Sequence, residues 1–415
     1  MPKSHEPKCY DNAMKIVFIH QNFPGQFPHI ARHLAADKNN QVFSIAQKHG
    51  KPQPNINHIV YAPARVPHKS THHYLINAEM GVLNGQAVAK VLEALKQKGV
   101  KPDVIVGHLG WGETLFAKDV FPDVPLVNYF EFFYKAVGAD TDFDPEFPNS
   151  ADDVLRIRTK NAVNLLGLHA CDAGISPTNW QRSLYPLEFQ PKISVIHEGI
   201  NTDLAKPDQN AEYWHSKTVK FSKKDKIVTF VARNLEPYRG FHIFMRAIAH
   251  IQAAHPDCTI LVVGSDGVSY GRKNDTTETY RAQLLKEVKV DQSRVHFLGK
   301  LDYANYLKIL QISSVHVYLT VPFVLSWSML EAMAAGCVVV GSDTPPVREV
   351  IEHEKNGLLV DFLSPQSVAN GVNKVLENPA KMQHLGVAAR KLLLERYQVN
   401  NSIEQYTQLL QNVIR

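Results

Sequence analysis

Cysteine is scarce in this chain: four in 415 residues, Cys9, Cys171, Cys258 and Cys337, with no C-x-x-C spacing. Three of them lie in or beside apolar runs, as reduced buried thiols do, so neither a disulfide framework nor a zinc site is expected. No apolar run approaches ~18 residues, which excludes an obvious membrane-spanning helix. The leading MPKSHEPKCYDNA is polar and lacks the apolar core of a secretory signal, so the expected location is the cytoplasm. Walker A and G-x-G-x-x-G patterns are both absent, which removes the usual signs of P-loop phosphoryl transfer and dinucleotide-dependent hydride transfer. No D-x-D metal motif falls on a suitable loop. The cluster His68, His72 and His73 has neither carboxylate nor cysteine partners, so no metal site is expected. A bias of charge is missing too: 45 Lys+Arg against 40 Asp+Glu gives +5, spread thinly over both halves, which argues against a nucleic-acid surface. There is no short-period repeat and no low-complexity segment.

What is present is ordinary globular composition, 44% hydrophobic and 20% charged, in a chain long enough for two cores. Apolar strands alternate with helical stretches from Met14: KIVFIH, a helix from about Gly25, QVFSIAQ, HIVYAP, a helix over about 73–98, DVIVGH and PLVNYFE. Residues 135–150, rich in Asp, Phe and Pro, read as a loop over that sheet; 154–170 reads as a helix, and AGISP and ISVIHEG as strands. Residues 201–224 are polar and read as a linker with one short helix. At Ile227 the alternation restarts with IVTFVA, a helix over about 240–254, TILVVG, a helix over about 277–288, VHFLGK, VHVYLT, VVVGSD and GLLVDF. The pattern predicts two doubly wound, Rossmann-like α/β domains facing across a cleft: 1–200, 201–395, and a helical end at 396–415 that returns to the first domain.

Open parallel sheets bind ligands beyond the carboxyl ends of their strands, so those positions carry the functional reading. The stretch VHVYLTVPFVLSWSMLEAMAAG reads as a strand turning into a helix, with Ser326, Trp327 and Ser328 where the helix begins. Free backbone N–H groups and the positive end of the helix dipole would meet there, a place for phosphate, and Glu331 could accept hydrogen bonds from ribose hydroxyls beside it. The same residues also suit an ordinary capped turn with a solvent-facing carboxylate. In RNLEPYRG, Arg233 and Arg239 flank a turn and could clamp a diphosphate. The loop after TILVVG begins at Gly264, and Leu298 of VHFLGK offers an apolar wall for a nucleobase. In the first domain Gly25 marks a tight turn after the first strand, while His108 and Glu131 end two further strands and would face the cleft.

These residues resemble retaining glycosyltransferases of family 4, with the GT-B architecture, from about Met14 to the end of the chain. SWSMLEAMAAGCVVVGSD is similar to the family's Glu-x7-Glu helix and following strand, VARNLEPYRG to its phosphate clamp, and HEGINTD to its domain-linking turn. The resemblance implies transfer of a sugar from a UDP- or GDP-sugar, with no cofactor or metal. The acceptor would be a glycan, a lipid-linked group or a small molecule in bacterial polysaccharide or glycolipid synthesis. It implies work in the cytoplasm, free or at the inner face of the membrane, with no nucleic-acid partner. By that likeness Glu331 binds ribose, Arg233 and Arg239 the diphosphate, and the serines the phosphates. Two positions depart from the family. Phe323 stands where the first Glu would contact the donor sugar, so aromatic packing on a sugar face is expected instead; and Glu131 stands where a His usually ends the strand. The alternatives are a GT-B sugar-nucleotide epimerase and a non-catalytic glycosyltransferase-like subunit.

Overall fold

A computed structural model describes residues 13–272 and 277–414. Cys9 and the polar leading segment, apart from its last residue, lie outside the described residues; Cys171, Cys258 and Cys337 are free and buried. Seven parallel strands form the first sheet: β1 (Lys15–Ile19), β2 (Gln41–Ala46), β3 (Ile56–Val60), β4 (Val104–His108), β5 (Leu126–Tyr129), β6 (Ala173–Ser176) and β7 (Ile193–Val195). Their order is β3-β2-β1-β4-β5-β6-β7. After a two-stranded hairpin, β8 (Glu212–Trp214) and β9 (Lys220–Ser222), six parallel strands form the second sheet. These are β10 (Ile227–Asn234), β11 (Thr259–Ser265), β12 (Val295–Gly299), β13 (Val315–Tyr318), β14 (Val339–Ser342) and β15 (Leu358–Val360), in the order β12-β11-β10-β13-β14-β15. Valine- and isoleucine-rich strands, buried on both faces, follow from helices covering both sides of a parallel sheet. The strand order reverses between β1 and β4 and again between β10 and β13, and a crevice opens where it does.

Two elements differ from the sequence expectation. The linker holds the β8–β9 hairpin and not a helix, because Tyr213 and Phe221 alternate inward and pack with Ile227, Leu261 and Ile309. The helix expected over 154–170 is two helices, Ala151–Lys160 and Ala162–Ala170. Between them Asn161 turns its amide to the Tyr134 backbone, donating to the carbonyl at 2.7 Å and accepting from the N–H at 2.9 Å.

The chain crosses between the domains twice, side by side. Ile200 N–H donates to Tyr397 O at 2.7 Å and Val399 N–H to Ile200 O at 3.0 Å. Gly199 has φ +89° there, and a Cβ on it would stand 2.7 Å from the Val399 Cα, so this crossing requires glycine. The last helix, Val399–Ile414, then packs Tyr406 and Leu410 among Ile16, Phe18 and Val106 of the first domain.

Candidate functional site

Residues from the strands beside each reversal point converge. After β10, a single 3-10 turn, Pro237–Arg239, ends at Gly240, whose φ of +64° starts the helix Phe241–Ala254. The Arg239 side chain is buried. Its Nη1 donates to the Tyr318 hydroxyl at 3.2 Å, to Thr320 Oγ1 at 2.9 Å and to the Val324 carbonyl at 3.0 Å. All three partners are uncharged, and among the described residues no carboxylate reaches ion-pair distance of this guanidinium. Buried cations are normally paired, so a lone one is poised for an anion brought from outside. Arg233, at the end of β10, is exposed and forms no ion pair among the described residues.

The next strand of the reversal supplies the helix Trp327–Ala334. Ser326 caps it, its Oγ accepting from Ser328 N–H at 3.3 Å and lying 2.9 Å from the Ser328 hydroxyl. The Ser326 N–H donates to the Tyr318 hydroxyl at 2.8 Å, so the cap and Arg239 share one anchor. Glu331, one turn into the helix, accepts from the Tyr303 hydroxyl at 2.8 Å and the Tyr306 hydroxyl at 2.7 Å. Burial raises its carboxyl above the usual value against the pull of those two hydroxyls. Each oxygen keeps a further lone pair for a ligand. Glu331→Ala is expected to weaken nucleotide-sugar binding by ~1.5–3 kcal/mol per lost charged hydrogen bond while the fold stays intact. Unchanged affinity in calorimetry would remove Glu331 from the site.

On the facing domain, His20 follows β1 and His108 ends β4, their ring centroids 5.1 Å apart, and both are buried. His108 Nε2 stands 3.7 Å from Glu131 Oε2, an ion-pair distance and not a hydrogen bond. Gln26 Nε2 donates to Glu131 Oε1 at 3.0 Å, and the same side chain's Oε1 lies 2.6 Å from His20 Nε2. Burial drives the His20 pKa down to about 3, with His108 adding to the effect. Burial alone would raise the Glu131 carboxyl, but His108, His20 and Gln26 outweigh it and hold the group below the usual range. Glu131 therefore has His108 as its ion-pair partner among the described residues. Gly25, at φ +52°, lies against His20: a Cβ would stand 2.2 Å from its Nε2.

Other expected positions have structural explanations. A Cβ at Gly264 would meet the Ala232 carbonyl at 2.7 Å, so close packing of β10 on β11 accounts for this glycine. Leu298 is half-buried at the end of β12. Trp327 Nε1 donates to Glu198 Oε2 at 3.0 Å, and Glu198 Oε1 accepts from the Tyr129 hydroxyl, so Trp327 ties the two domains together. Phe323 is buried against Phe132, Tyr270 and Tyr238, with centroids 4.7, 4.9 and 5.4 Å away. Sequence reasoning missed Glu198 and also Glu236. The buried Glu236 carboxylate accepts from the N–H groups of Ser269, Tyr270 and Gly271 at 2.9–3.1 Å and so shapes the loop after β11.

Two facing Rossmann-like sheets with this site between them define the GT-B class. The fold of sucrose-phosphate synthase from Thermosynechococcus elongatus is similar over 96% of this chain and 99% of that one, at TM-score 0.74 and 18% identity. Anabaena HepE, solved in complex with UDP-glucose, is similar over 96% and 100% at TM-score 0.69 and 18% identity. Residues 38–205 match the glycosyl transferase family 4 group and residues 214–392 match glycosyl transferases group 1. The chain belongs to this family of group 1, family 4-like glycosyltransferases. An uncharacterized glycosyltransferase of Methanocaldococcus jannaschii is 30% identical over 217 residues, 51% of this chain and 52% of that one. The chain thus spans about half the length of the curated relatives it matches first.

Proposed function

We propose that this chain transfers a sugar from a UDP- or GDP-sugar to an acceptor hydroxyl with retention of configuration, in bacterial glycan, polysaccharide or glycolipid synthesis. The observation that carries the proposal is the buried Arg239 guanidinium, which has no carboxylate partner among the described residues and is anchored through Tyr318 to the helix start at Ser326. In this reading Arg239, Arg233 and the positive end of the helix that starts at Ser326–Ser328 hold the diphosphate, Glu331 the ribose and Leu298 the base, without a metal ion. The bond from the anomeric carbon to the β-phosphate oxygen breaks, and the electron pair leaves with the nucleoside diphosphate. The acceptor oxygen attacks the same face, and its proton passes to a phosphate oxygen. Charge growing on the leaving diphosphate meets donors already in place, which is where such sites gain most. Glu131 and His108 would then position the sugar from the opposite domain. Work in the cytoplasm or at a membrane's inner face belongs to the same proposal; among the described residues no helix is long and apolar enough to cross a membrane.

A ligand that binds only the folded chain at 100 times its dissociation constant stabilises it by about 2.7 kcal/mol. A thermal-shift screen of UDP-, GDP- and ADP-sugars is therefore expected to show at least one clear upward shift, and a flat screen would oppose the donor assignment. Phe323 offers a ring in place of the missing carboxylate, and a site lacking that buried partner rejects the wrong epimer weakly. Phe323→Leu is accordingly expected to change the ratio of kcat/KM between epimeric donors. An unaltered ratio would leave Phe323 with packing alone.

A further inference from the structure

Between the 135–150 loop and the carboxyl ends of β10 and β11 lies a cavity of about 290 Å³ that shares only Phe323 with the donor assignment. That is room enough to seat a sugar ring. Tyr134, Tyr238, Tyr270 and Phe323 present aromatic walls, and Asp140 and Lys160 line it with charge. Asp140 is 5% exposed. Its Oδ2 accepts from the Tyr238 hydroxyl at 2.9 Å, while Oδ1 has no hydrogen-bond partner among the described residues. A buried carboxylate oxygen left unpaired is costly, and a ligand donor would relieve that cost. Lys160 Nζ lies 3.4 Å from the Tyr134 ring centroid and pairs with no carboxylate of the described residues. Burial lowers its ammonium to about 8, opposed by the nearby Asp140 charge.

The other charges of the lining are already engaged. Arg156 and Arg272 both hold Asp153, Asp144 holds His242 at 2.8 Å, and Asp142 accepts from the Asn149 N–H at 3.0 Å. A ligand therefore meets flat apolar faces, one unsatisfied acceptor and one cationic donor of opposite charge. An anionic ligand would face Asp140, and a purely apolar one would leave both polar groups unpaired. A hydroxyl-bearing ring satisfies all of them: a hydroxyl donates to Asp140, another accepts from Lys160, and the ring's C–H face packs on the aromatics. Tyr270 and Phe323 also stand beside Arg239, its Cζ 5.4 and 5.7 Å from their ring centroids. A ring bound here would thus lie next to the guanidinium assigned to the diphosphate.

We propose that this cavity is the acceptor subsite and that it takes a neutral saccharide ring, recognised by Asp140, Lys160 and the aromatic walls. The acceptor assignment rests on the sugar-transfer reading; the saccharide chemistry rests on the cavity. The test is saturation-transfer NMR on the full chain. Methyl α-D-glucopyranoside, methyl α-D-galactopyranoside, methyl α-D-mannopyranoside and glucuronate are each added with saturating UDP or GDP. At least one neutral glycoside is expected to receive saturation at its ring protons and to exceed glucuronate. Lys160→Met and Asp140→Asn should each weaken that binding roughly ten-fold, the loss typical of a charged hydrogen bond, while nucleotide signals persist and report a folded chain. Glycoside signals that survive a saturating nucleotide-sugar support the acceptor role, and displacement by it would overturn that role in favour of the donor's own sugar. Nucleotide signals without any glycoside signal, preferred glucuronate, or unchanged binding in both variants would each overturn the subsite while the donor reading stands. Loss of nucleotide signals in the wild-type chain would overturn both.

Discussion

Arg239→Met is expected to abolish measurable transfer, with a loss on the order of 10²–10³-fold, as when a donor to a developing anion is removed. The reason is geometric: the guanidinium is buried, its contacts are the neutral groups Tyr318, Thr320 and Val324, and its charge is uncompensated by the described residues. Methionine fills much of the same space without charge. Burying a lone cation is costly, so the ligand-free variant should melt at the wild-type temperature or above it. The stabilisation that UDP or GDP gives the wild type should disappear. A substitution that merely damaged the fold would lower the ligand-free melting temperature, so comparing melts with and without nucleotide separates the two causes. Wild-type turnover in Arg239→Met would remove it from the diphosphate site.

Glu131→Gln is the second large effect expected: a fall in transfer rate of ~10²-fold, the scale of losing a group that positions the reacting sugar, with donor affinity nearly unchanged. Glutamine keeps the shape and the contact with Gln26 but removes the charge that faces His108 and His20. Because those neighbours hold the carboxyl below its usual range, the wild-type group stays ionised through neutral pH. The activity that depends on its charge is therefore retained through mildly acidic pH and lost as pH falls through that depressed value. Rates in wild type and Glu131→Gln, measured from neutral to acidic pH with saturating donor, test this. Equal rates throughout would make Glu131 structural. His108→Ala is expected to act in the same direction with a smaller effect.

The sheets were legible because valine- and isoleucine-rich runs bounded by turn residues have few other readings. Strand ends were legible for the same reason, and they led to Arg239, Ser326, Glu331, His108 and Glu131. The β8–β9 hairpin was not, since three residues per strand leave too little alternation to separate from a polar linker. Nor was the break at Asn161, which depends on hydrogen bonds to Tyr134 far back in the chain. Tyr303 and Tyr306 stand three apart on one helical face, yet what they hold, Glu331, lies on another helix. Glu236 sits between the two arginines of RNLEPYRG and looks solvent-facing in sequence; only the folded loop after β11 brings three N–H groups to it. Glu198 reads within HEGINTD as part of a turn, but its bond to Trp327 needs both domains in place.

The central claim is that a nucleotide-sugar bound against Arg239 gives up its sugar. The most direct measurement follows nucleoside diphosphate release when the purified full chain meets a panel of UDP- and GDP-sugars, alone and with cell extract as a source of acceptors, beside Arg239→Met under the same conditions. The account predicts release from at least one donor, accelerated by acceptor, and none above background from the variant. No release from any donor with or without extract, or equal release from the variant, would contradict it.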